Sequence, residues 1–277
     1  MKRENDVKRY EPIKAIDLIN RVKKGPKRKF IWGGIREGSM GLLIGAGKTG
    51  KTTFAENLAI SIAVGRVDFF GFKIDGGAQK VAFINLEEDY SITGDRLGRE
   101  ITNLNARELE LFTENFIATP EGFPSYINDK QDWLILKNYI SDSEADIIFL
   151  DSLSHLFVGE IEKSSVAQSW MQEFRDHVAS LGKTVIVVHH TTKGNDSPIN
   201  MDKGAGSRVI SQEFNWAYGF AKIPTATGGS YLCHMYNKFQ FADETQALLY
   251  EVQDNNWIKY KSKANKYSLY SEVKIKN

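Results

Sequence analysis

The feature that most constrains this chain is an eight-residue run, Gly45-Ala46-Gly47-Lys48-Thr49-Gly50-Lys51-Thr52, between a short apolar stretch and a helical pattern. The stretch is Met40 to Ile44. The pattern, Lys51 to Val64, repeats apolar residues at helical spacing. Glycines at 45, 47 and 50 let the backbone wrap closely around a phosphate chain with its N–H groups turned inward. A helix starting near Lys51 aims the positive end of its dipole at the same place. The loop has its chemical meaning only after a strand and before a helix, which is the context found here. The expectation is that ATP binds along Gly45 to Thr53, including Ala46, Lys48, Thr49 and Thr53. Lys51 reaches the β- and γ-phosphates and the Thr52 hydroxyl meets Mg²⁺.

The rest of the chain alternates apolar runs with amphipathic ones. Val81 to Leu86, Phe116 to Ala118, Ile147 to Leu150 and Val185 to Val188 read as strands. Ile92 to Leu104, Trp133 to Ile140 and Val166 to Leu181 read as helices. Such alternation predicts an α/β fold with a mostly parallel central sheet covered on both faces by helices. After Trp216 the pattern changes to hairpin strands, Tyr218 to Ala221, Tyr231 to Tyr236 and Ala247 to Val252, which predicts an antiparallel extension. At the start, Ile13, Ile16, Ile19 and Val22 mark a short amphipathic helix ended by Gly25-Pro26.

Polar residues stand at the ends of the predicted strands, on the edge where ligands bind in parallel α/β sheets. Ala145 to Asp151 is an apolar strand ending in a carboxylate, and Asp151 is placed to share the Mg²⁺ shell with Thr52. Ser152 stands ready to orient that carboxylate or a water. Glu87 and Glu88 end another strand. One of them is a candidate to activate the attacking water, although paired acids there also suit the start of a helix. His189-His190 end a third; a neutral imidazole there can sense a γ-phosphate or simply lie in a surface loop.

Taken in this order, the motifs resemble those of the RecA-fold ATPases, most closely the RepA-like group of plasmid and phage replicative helicases. The resemblance covers roughly Phe30 to Val252. It is carried by Phe30-Ile31-Trp32-Gly33-Gly34-Ile35, the phosphate loop, Asn85-Leu86-Glu87-Glu88-Asp89 with Asp95-Arg96-Leu97, Asp151-Ser152-Leu153, His189-His190-Thr191-Thr192-Lys193-Gly194 and Lys203-Gly204-Ala205-Gly206-Ser207. It implies a RecA-like P-loop NTPase core over 30–254, a basic helical extension over 1–29 and a lysine-rich tail over 255–277. It further implies that Glu87 is the catalytic glutamate and His190 the phosphate sensor, acting with Lys51 and Asp151. Segments Ser152 to Lys163 and Thr191 to Gly204 correspond to loops lining a ring's channel, with Lys163, Lys193 and Lys203 as contacts to single-stranded DNA. A basic residue acting on the neighbouring subunit's ATP has no clean match; Lys203, Arg208 and Lys238 are the candidates.

The charge distribution suits an anionic partner reached by the termini, and equally suits lysine-rich ends that keep the protein soluble. Residues 1–30 carry +7 and residues 255–277 carry +5 within a total of +1, which leaves −11 on the body between them. One cysteine excludes an internal disulfide and a cysteine-built zinc site. No apolar run is long enough to span a bilayer and no signal-peptide core follows Met1, so no membrane partner and a cytoplasmic location are expected. The sequence therefore points to a hexameric, Mg²⁺-dependent ATPase motor, a DNA helicase that works in replication beside other replication or recombination proteins. Its rivals are a recombination or annealing ATPase and a nucleotide-gated loader or regulator without unwinding activity. No adenine-stacking residue stands out; Tyr236, Phe239 and Phe241 are the aromatic candidates.

Overall fold

Apolar residues on both sides of a pleat suit strands covered on two faces, and this is how the chain's central strands lie. The computed structural model describes residues 10–157, 159, 164–191, 197–201, 212–224 and 228–270. In chain order it begins with α1 (Ala15–Lys24) and a hairpin of β1 (Phe30–Trp32) and β2 (Ile35–Arg36), then β3 (Met40–Gly45) and α2 (Lys51–Ala63). A second hairpin, β4 (Asp68–Phe69) and β5 (Phe72–Lys73), leads to β6 (Val81–Asn85), α3 (Tyr90–Glu100), α4 (Ala106–Asn115) and β7 (Phe116–Ala118). There follow α5 (Lys130–Asp142), β8 (Ile147–Asp151), α6 (Ser164–His177) and β9 (Thr184–His190). The final strands are β10 (Trp216–Lys222), β11 (Ser230–Asn237), β12 (Gln246–Val252) and β13 (Ile258–Asn265).

Among the described residues the main sheet has nine strands in the order β13-β12-β11-β10-β3-β9-β8-β6-β7. From β10 to β7 neighbours run parallel. From β10 to β13 they run antiparallel. The expected fold class, a mostly parallel sheet flanked by helices with an antiparallel extension, is what the chain adopts.

Alternation along the strands sends side chains into two cores. Leu42, Ile44, Ile84 and Leu150 join Trp133, Leu136, Trp170 and Phe174 on the face covered by α5 and α6. Leu43, Phe83, Phe149 and Phe220 join Phe54, Leu58 and Trp32 on the face covered by α2. From Phe54 to Ala63 every residue of α2 is buried. The end of the antiparallel extension reaches over this helix, where Asn57 Oδ1 accepts the backbone N–H of Ile258 at 2.6 Å.

Three expectations change. The helix predicted over Ile92 to Leu104 starts earlier, capped by Asp89 Oδ1 accepting the Ser91 N–H, and ends in a 3-10 turn, Ile101–Asn103. A further helix, α4, follows; Asn105 and Glu108 form a capping box that satisfies its first N–H groups. The lysine-rich segment after residue 254 contributes β13, which pairs with β12 as an edge strand. Its lysines at 259, 261 and 263 alternate with Ile258 and Tyr260, and charged side chains on an edge discourage further strand pairing.

β3 and β10 can approach only because residue 41 is glycine. A Cβ there would stand 2.0 Å from Trp216 Cε2, inside the buried ring that faces it in register. Overpacking of this kind costs about 1–3 kcal/mol or more. Gly41→Ala is therefore expected to lower Tm by roughly 4 °C or more; thermal unfolding of the variant within a degree of the parent would contradict the packing described.

Candidate functional site

The parallel strands all end on one edge, and register brings their terminal residues together. Gly45 of β3 lies opposite His190 of β9, and Asn85 of β6 opposite Asp151 of β8. The loop between β3 and α2 folds over this edge, with Lys48 and Gly50 at positive φ (61° and 83°). At Gly50 the left-handed backbone favours glycine. At Gly45 the reason is proximity, since a Cβ would meet the Phe220 carbonyl at 2.3 Å. Gly47 differs: no protein atom lies within 4 Å of where its Cβ would be, so it borders open space.

Lys51 is buried at the foot of the loop, its Nζ donating to the Ala46 carbonyl at 2.8 Å. Burial lowers its pKa to about 8, against the pull of Asp151 and Glu87, so the ammonium is retained at neutral pH. Thr49 Oγ1 donates to the same carbonyl at 2.9 Å, and the Tyr250 hydroxyl of β12 donates to the Thr49 carbonyl. The extension thus braces the loop from behind.

Thr52, in the first turn of α2, donates from Oγ1 to Asp151 Oδ2 at 2.6 Å. The other carboxylate oxygen of Asp151 is buried and has no hydrogen-bond partner among the described residues. Burial pushes the Asp151 pKa up to about 6, despite the Thr52 bond and Lys51. A buried carboxylate with an orphan oxygen, beside a threonine hydroxyl, is the donor set that a hard divalent cation takes. These residues suit the phosphates of a nucleoside triphosphate with Mg²⁺.

Glu87 and His190 complete the group. His190 Nε2 and Glu87 Oε2 are 2.9 Å apart, and that bond holds Glu87 down to about 2. Glu87, Asp151 and His190 each bring one ligand atom within 4.8 Å of the others. Glu88 turns away to Arg96. His189 is buried, which lowers its pKa to about 4, so the neighbouring histidines differ in environment. Ser152 Oγ lies 2.7 Å from Ser154 Oγ rather than bonding Asp151.

Other expected residues lie elsewhere. Lys163, Lys193, Lys203 and Arg208 fall outside the described residues. Lys238 sits at the opposite end of the sheet, where its N–H donates to the Asn215 carbonyl beside Met40 and its Nζ to the Gln212 carbonyl. Tyr236, Phe239 and Phe241 belong to that same end, with Phe239 under the Arg36 guanidinium, so they do not stack on a base held at this chain's own loop. Sequence reasoning missed Asn85, whose Oδ1 accepts the N–H groups of Glu87 and Glu88 at 3.0 and 3.1 Å, and it missed Tyr250. An asparagine just before a turn of two acids was the available signal for the first.

A family profile described as an AAA domain matches residues 8–196. No curated protein matches the chain. Among solved structures, a KaiC-like protein from the hyperthermophilic archaeon Pyrococcus horikoshii superposes with a TM-score of 0.55 at 14% identity. The match covers 83% of this chain and 92% of that one. At that identity the likeness is one of fold, the RecA-type α/β sheet.

The Asp151 environment has a pH signature. With a folded pKa of about 6 against an ordinary 3.8, the native state holds this proton more tightly than the unfolded chain. Stability is therefore lost as pH rises from about 4 through about 6 and stays lower above. Without nucleotide or metal, Asp151→Asn is expected to raise Tm by a few degrees at pH 7.5, from about 2–3 kcal/mol, with the gain gone near pH 4. Equal gains at both pH values in thermal unfolding, or a loss at pH 7.5, would contradict this reading.

Proposed function

The chain belongs to the AAA domain family, and on that premise we propose that it is a Mg²⁺-dependent ATPase in which Lys51, Thr52, Asp151, Glu87 and His190 form the reaction centre. The observation that carries this is their convergence. Thr52 and Asp151 are joined across the loop at 2.6 Å, with the Glu87–His190 pair inside the same 4.8 Å cluster. Loop N–H groups from Gly45 to Thr53 receive the phosphates at the start of α2. Lys51 leaves the Ala46 carbonyl for the β- and γ-phosphate oxygens, exchanging a neutral acceptor for charged ones. Thr52 and Asp151 would hold the cation, which when bound would offset charge developing on the phosphate oxygens. Glu87, ionised by its bond to His190, accepts a hydrogen bond from the attacking water and aligns it. His190, bonded to Glu87 and half-exposed, is placed to sense γ-phosphate occupancy.

The finer reading is a ring-forming motor of the RepA-like replicative helicase type that acts on single-stranded DNA in the cytoplasm. Two sequence features support it: basic ends on an acidic body, and lysine-bearing segments that follow Asp151 and His190 in the sequence. In a ring, a basic residue of one copy completes its neighbour's site; Lys203, Arg208 and Lys238 are the candidates. The protein is proposed to work with other replication or recombination proteins.

Steady-state hydrolysis tests the core reading. Lys51→Ala is expected to abolish turnover, and Glu87→Gln to lower it by about 10²-fold or more while retaining bound ATP. Wild-type rates in either variant would refute the assignment. Single-stranded DNA is expected to raise the ATPase rate, less so as salt increases. A rate indifferent to DNA at every salt concentration would leave the ATPase standing and remove the motor.

A further inference from the structure

The proposed chemistry uses Glu87 but not the charged network beneath it. Arg96, in the second turn of α3, is buried and forks toward two elements. Its Nε and Nη2 bond both carboxylate oxygens of Glu56 at 2.6 and 2.8 Å, and Glu56 is a fully buried residue of α2. Its Nη1 donates to Glu88, the residue next to Glu87. Glu100, one turn further along α3, lies buried beside Glu56. Burial and the Glu56 charge push Glu100 up to about 10, so it is neutral and adds no second negative charge.

The turn carrying Glu87 is held at other points as well. Asn85 accepts the Glu87 and Glu88 N–H groups and donates through Nδ2 to Thr93 on α3 at 2.9 Å. The Leu86 N–H donates to the Asp151 carbonyl at 2.6 Å. We propose that Arg96 is a positioning residue for Glu87, tying the turn to the phosphate-loop helix through Glu88 and Glu56 so that water and phosphates are held in one frame. This rests on the proposed ATPase site. A buried ion pair kept only for stability can be replaced by apolar packing at little cost. Here the buried guanidinium also extends to a partly exposed acid on the reactive turn, a connection that core packing does not need.

Glu88→Ala tests the link while leaving the Arg96–Glu56 pair intact, and the paired change Arg96→Gln with Glu56→Gln removes both buried charges together. Both proteins are expected to fold by circular dichroism and to bind Mg·ATP within about threefold of the parent. Turnover is expected to fall about 10- to 100-fold, the range that a displaced reacting group produces. The three changes combined should cost no more than the worse of the two, because they break one connection. Turnover within twofold of the parent in folded Glu88→Ala protein, or losses that multiply in the combined variant, would overturn the proposal while leaving the ATPase site in place. Full turnover in Glu87→Gln would overturn the underlying reading instead.

Discussion

The candidate site depends on one short contact between residues 99 positions apart, the hydrogen bond from Thr52 to Asp151. For the two to meet, β3 must lie one strand away from β8, and β9 must fill the space between them in register. The parallel sheet fixes that register because both of its faces are buried, so a slip by one residue would turn a core side chain onto the wrong face. The contact is thus a consequence of the whole sheet. It also sets the geometry within which Lys51, Glu87 and His190 are read.

The site stores unfavourable electrostatics until a ligand arrives. Asp151 is buried with one oxygen unpartnered, and Lys51 is buried against a neutral carbonyl. Each is held away from its ordinary pKa by loss of water. A triphosphate and a divalent cation would add opposite charge beside each residue, beyond the attraction Lys51 and Asp151 already exert on one another. The surrounding structure sustains this. α2 is buried through most of its length, and the antiparallel extension supports the loop through Tyr250 and the helix through Asn57. The RecA-type core and its extension are therefore one mechanical unit around the phosphate loop.

Much of this was legible in the sequence where local chemistry and fold agree. The phosphate loop, the carboxylate ending β8, and the Glu87 and His190 strand ends were found because polar residues closing apolar strands stand out. What stayed hidden depends on long-range contact. Arg96 stands in the sequence as part of a motif paired with Glu87, but its partner Glu56, 40 residues away, cannot be read from that spacing. Tyr250 looks like one more strand aromatic until its hydroxyl meets a loop carbonyl 201 residues earlier. β13 has the composition of a tail because its lysines dominate, although Ile258 and Tyr260 alternate with them as an edge strand requires. α4 carried a readable capping box, Asn105 with Glu108, that its weak apolar pattern obscured. The aromatic candidates for base stacking failed for a geometric reason: they end at the sheet edge opposite the phosphate loop.

The central claim is that this loop and the Thr52–Asp151 pair together bind ATP with its cation. The most direct measurement is calorimetric titration of the parent protein with a non-hydrolysable ATP analogue, with Mg²⁺ and again in excess chelator. The account predicts saturable binding with one site per chain that weakens at least about tenfold when the cation is removed. Binding that is absent at millimolar analogue, or that is indifferent to Mg²⁺, would contradict it.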